Sequence, residues 1–255
     1  MTYYYYDKVL VSNCKLKSLI SYAGKMTMDS VVQLSVQQAE WGTAVPEAPE
    51  GISLAGDFYQ VVIPEKVTYQ IHKEGNLVRA YVEDFVWLEK TVMGVPASIL
   101  ALLKGKVLLG GSLLHAGDWA YAAVGERGHA GDGADDSTGV HNTDTYSSYI
   151  RCASPGKSVM VLERGERMEG VAHIASVYSD YAIETLGMLG IFVLQRDPGR
   201  EAIEPMDAPE LKKNAILENI VGYELFPQEL KQRASDSRIV NRISQELYMA
   251  SMLAL

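Results

Sequence analysis

The stretch 108–140 limits the folds open to this chain more than any other. Its apolar run 119–124 has the length and composition of a buried strand and ends in Gly125-Glu126-Arg127-Gly128. Such a small-residue turn is the kind that begins a phosphate-binding loop. Two adjacent carboxylates, Asp135 and Asp136, follow within a few residues. A buried strand, a glycine turn and a nearby Asp pair are the parts that a nucleotide site with bound magnesium requires. The turn offers amides to phosphate oxygens, and the carboxylates offer hard oxygen ligands to the metal.

The motif is broken at its centre. A Walker A loop, G-x-x-x-x-G-K-[ST], needs Gly, Lys and Ser or Thr at positions 130–132, where this chain has Ala130, Gly131 and Asp132. The order His115, apolar strand, Gly-Glu-Arg-Gly, Ala134-Asp135-Asp136 and Val140 nonetheless resembles the HPr kinase-like family of P-loop serine kinases. That family includes kinases encoded with lasso-peptide and related peptide-modification genes. The likeness extends to tyrosines 3–6 and to the segment 190–196, so it covers most of the chain loosely.

The resemblance implies an α/β fold, α+β overall. Its core would be P-loop HPr kinase/PEP carboxykinase-like, and the strand and helix patterns read below add a β-rich N-terminal module and C-terminal helices. It implies ATP and Mg2+ as cofactors, with Gly125, Glu126, Arg127 and Gly128 at the phosphates. Asp135 and Asp136 would divide metal binding and acceptance of a serine proton, and His115 would stand near the phosphates. Two origins of the broken motif stay open. One is a degenerate member that has lost the phosphate cradle. The other, which we favour, is that further residues separate Gly128 from His129 in the natural polypeptide. As written, the sequence leaves no room for the helix whose N-terminus would face the phosphates.

Composition narrows the class. The 255 residues are enough for one large or two modest domains, and 47% apolar with 22% charged residues is ordinary for a globular protein. Net charge is −9, from 23 basic and 32 acidic residues, with no basic block, which argues against a nucleic-acid partner. The longest apolar run, 92–103, contains Gly94 and Pro96 and is too short to span a bilayer. The start lacks the pattern of a secretory signal, and neither end carries a lipidation motif. Cys14 and Cys152 stand far apart, in no metal spacing, and read as buried thiols of a reducing compartment. Together these point to the cytoplasm. Neither His129, His141 nor His173 has metal spacing with the others, which argues against zinc.

Along the chain, 3–11, 31–36, 58–63, 67–72 and 77–82 read as strands, with the turn 73–76 joining the last two as a hairpin. Segment 44–51 is a loop. A β-rich module over 1–87, suited to substrate recognition, is thus expected before a P-loop kinase-like domain over 88–255 with a helical C-terminus. In the latter, 92–103 reads as a helix and 107–115 and 119–124 as strands. The Gly-Lys-Ser at 156–158 lies in a turn, since its Walker register would need Gly where Arg151 stands and a strand pattern follows. Segments 162–167 and 195–200 are charged turns. Arg196, at the end of the apolar run 191–194, is the better placed to neutralise phosphoryl charge. Apolar spacing predicts helices over 211–221 and 239–255, with Met249 and Met252 as core filler.

Two functions fit. One is an ATP-dependent serine kinase acting on a peptide or small protein. The other is a catalytically degenerate binding or scaffold protein of the same fold. HPr itself is a poor fit as substrate, because the N-terminal module differs from that of the HPr enzymes. The family's oligomeric members admit a homo-oligomer.

Overall fold

The computed structural model describes residues 1–6, 8–17, 19, 21–25, 27, 31–39, 50–116, 119–125, 151–154, 159–164, 167–172, 184–196 and 202–254. They form a mixed α/β protein in two compact units. The first comprises Met1–Lys104 together with Glu224–Lys231. The second takes the described residues of Gly105–Ile174, Asp180–Tyr223 and Gln232–Leu255.

Seven strands make the sheet of the first unit: β1 (Thr2–Tyr5), β2 (Lys8–Ser12), β3 (Val31–Gln38), β4 (Gly51–Ala55), β5 (Phe58–Ile63), β6 (Val67–His72) and β7 (Leu77–Val82), in the order β1-β2-β3-β7-β6-β5-β4. In β3 and β7 strict alternation sends Val32, Leu34, Val36, Val78, Ala80 and Val82 into the core, the pattern of a sheet packed on one face. The single strand expected over 3–11 is instead the hairpin β1–β2, which pairs Tyr5 with Lys8. The chain reverses at Tyr6, whose φ of 56° is left-handed. With neither Gly nor Pro in the tyrosine run, the one sequence sign of that turn is Asp7 after it.

Two helices follow this sheet in the chain, α1 (Phe85–Thr91) and α2 (Val95–Leu103). Asp84 caps α1, its side chain accepting from Val86 N at 2.9 Å. The hydroxyls of Tyr5 and Tyr6 donate to the carbonyls of Val92 and Met93 at 2.6 and 3.0 Å. They satisfy acceptors that the end of α1 would otherwise leave bare. Gly94, at φ −92° and ψ −120°, interrupts the helical path, so α2 starts at Val95 with Pro96 in its first turn, rather than at residue 92. Both helices pack on the sheet, α1 on β7 and α2 on β6, which carries the compact unit past residue 87 to Lys104. Among the described residues no single helix is long and apolar enough to cross a membrane. The α1–α2 pair meets that test only jointly, with a 48° bend, and α2 is buried in protein from Pro96 to Leu103.

The second unit is built on β8 (Val107–Leu109), β9 (Gly111–Ala116), β10 (Trp119–Gly125), β11 (Arg151–Ser154), β12 (Val159–Arg164), β13 (Arg167–Ala172) and β14 (Glu184–Arg196). These lie in the order β11-β9-β10-β14-β13-β12-β8. The strand expected over 107–115 is thus two, parted at Gly110, whose N–H bonds the carbonyl of Asn219 at 2.8 Å. Within the charged segment 162–167, the β12–β13 pairing continues out to Arg164 opposite Arg167.

Three helices follow, α3 (Pro209–Glu218), α4 (Gln228–Ser235) and α5 (Arg238–Glu246). The helix expected over 239–255 is corrected: α5 ends at Glu246 and the chain continues as β16 (Tyr248–Ala254). Leu247 turns extended, at φ −85° and ψ 143°. β16 then pairs in parallel with β14 on one edge and antiparallel with β15 (Ala202–Pro205) on the other. Its Met, Ala and Leu residues favour helix intrinsically, but ladder bonds on both edges outweigh that preference. Met249 and Met252 are buried there as core, in a strand.

Candidate functional site

Three adjacent parallel strands, β10, β14 and β16, form the middle of the second unit, and their carboxyl ends are Gly125, Arg196 and Ala254. Ala120, Ala122 and Val124 of β10, Ile191 and Val193 of β14 and Met249 of β16 are all buried. Near-continuous burial is what a parallel arrangement demands. Ligands of open α/β sheets bind beyond the carboxyl ends of such strands, where successive connections depart in opposite directions. The next described strand after β10 is β11, beyond β9, whereas the next after β14 is β15, beyond β16.

Gly125 closes β10 opposite Leu194, with φ +117°. A Cβ added there would run into the Leu194 carbonyl oxygen. Glycine is therefore required by the neighbouring strand itself, whatever binds beyond it. Arg196 ends β14, two residues past Leu194, and pairs with Ala254. The structure thus brings the backbones of Gly125 and Arg196 to one end of the sheet.

His115 is not brought there. It lies opposite Ala120, five residues before Gly125, or about 17 Å along the strand at the usual rise. The position facing the end of β10 is Gly111, across from Val124. Glu126, Arg127, Gly128, Asp135, Asp136 and the segment 156–158 lie outside the described residues. Among the described residues no group of three or more His, Cys, Asp or Glu is arranged to hold a metal. Cys14 is a free thiol of intermediate burial, 3.4 Å from the Ser12 hydroxyl.

Charged and aromatic clusters elsewhere in the second unit escaped the sequence reading. Glu163 of β12, 15% exposed, receives Arg242 at 2.5 Å and Arg238 at 3.1 Å from α5, and Arg242 also bonds Glu246 at 2.7 Å. The hydrogen bonds to Glu246 and then Glu163 raise the Arg242 pKa further above its ordinary value. Across β10, β14 and β16, Tyr121 meets Phe192 at a tilt, 5.2 Å between ring centroids, and Phe192 meets Tyr248 edge to face at 6.2 Å. No motif marks either cluster, because each joins residues far apart in sequence. Compared with models of known protein families, the chain matches none, and it matches no curated protein sequence.

Proposed function

We propose that this chain is an ATP-dependent serine kinase of the HPr kinase-like P-loop class. It would transfer the γ-phosphoryl group to a serine hydroxyl of a peptide, such as a lasso-type precursor, or of a small protein, in the cytoplasm. One observation carries the reading. The segment Gly125-Glu126-Arg127-Gly128 begins at the carboxyl end of β10, beside the parallel β14, the kind of position where ligands of open α/β sheets bind.

In this reading the amides of Gly125 to Gly128 bind the phosphates, and Arg196 neutralises charge that develops on the transferring group. Asp135 and Asp136 offer the hard oxygen donors that suit Mg2+. The ion, when bound, supplies charge neutralisation at the phosphates. One of the two carboxylates accepts the proton of the attacking serine, which is a poor nucleophile while it keeps that proton. No step is assigned to His115, whose backbone lies toward the other end of β10.

A second reading, a degenerate binding or scaffold protein, is favoured by Ala130, Gly131 and Asp132, which leave the Walker register without its lysine. Radiolabelled ATP with candidate precursor peptides separates the two. A kinase yields labelled peptide, and Asp135→Asn and Asp136→Asn each lower the yield at least about a hundredfold. A full-length preparation that neither binds ATP nor labels any peptide leaves the scaffold.

A further inference from the structure

We draw no further inference here: the strongest candidate, the apolar face of the second unit's sheet formed by Tyr121 of β10, Phe192 of β14, Tyr248 of β16 and Ile203 of β15, leaves Tyr248 and Ile203 exposed, but nothing among the described residues shows what covers it.

Discussion

The first unit takes polar groups into its interior, whereas the described part of the second keeps charge at the edge of an apolar sheet. Inside the first, Tyr5 donates to the Val92 carbonyl, and Tyr69 shares a 2.7 Å hydrogen bond with the Thr91 hydroxyl. Burial raises the pKa of both phenols, with Tyr6 and Tyr69 adding to the effect at Tyr5. In the second, Ala120, Ala122, Val124, Ile191 and Met249 pack without polar atoms, and Glu163, Arg238, Arg242 and Glu246 join β12 to α5 at the margin. The buried phenols therefore link the stability of the first unit to alkaline pH, while in the second Gly125 depends on close backbone approach to Leu194.

The sharpest way to break that contrast is at Gly125. Gly125→Val sets a branched side chain at φ +117° against the Leu194 carbonyl. It should cost the second unit about 3 kcal/mol or more. Hydrogen exchange should report faster opening of β10 and β14 and unchanged protection of β5 to β7. Equal loosening of both units would show that they do not fail separately.

Alkaline titration probes the other side. A phenol whose pKa is raised in the folded state binds its proton longer there than in the unfolded chain. Its contribution is complete below the unfolded value near 10 and is lost as pH rises toward the folded one. Each of Tyr5 and Tyr69 should thus lower stability by about 1.4 kcal/mol per pH unit above pH ~10. Tyr5→Phe should cost about 1.5 kcal/mol at neutral pH, through the bared Val92 carbonyl, and flatten the alkaline slope. Denaturant unfolding at a series of pH values, followed by exchange in β1 and α1, measures both. Smaller effects refine the picture. Asp84→Ala should cost about 1 kcal/mol through the lost cap of α1. Glu163→Gln should lower the melting temperature of the second unit by about 2 °C, an effect that shrinks in molar salt.

The same contrast explains which elements could be read in advance. β5, β6 and β7 are found at the bounds expected, because flanking turns and apolar spacing mark their limits, and in β7 alternation fixes the inward face as well. β13 and the first half of β14 were missed. β16 was taken for helix because buried strands lack alternation and its Met-Ala-Ser-Met-Leu run suits a helix at least as well. At the site, the end of β10 was legible from Val124 and Gly125. The place of His115 opposite Ala120 was not, since only the β9–β10 register counts residues across the pair. The intact mass of the natural protein bears on the remaining sequence question. A mass above that of these 255 residues would favour a fuller phosphate loop after Gly128.

By itself the sequence determined the strand-rich first module, the buried strand that ends at Gly125 and the acidic balance, since each depends on local composition and period. The tertiary structure decided that β10, β14 and β16 run parallel and that Gly125 and Arg196 end on one side. Those outcomes depend on pairings between distant segments, whose energy comes from ladder bonds and shared burial that no single segment encodes.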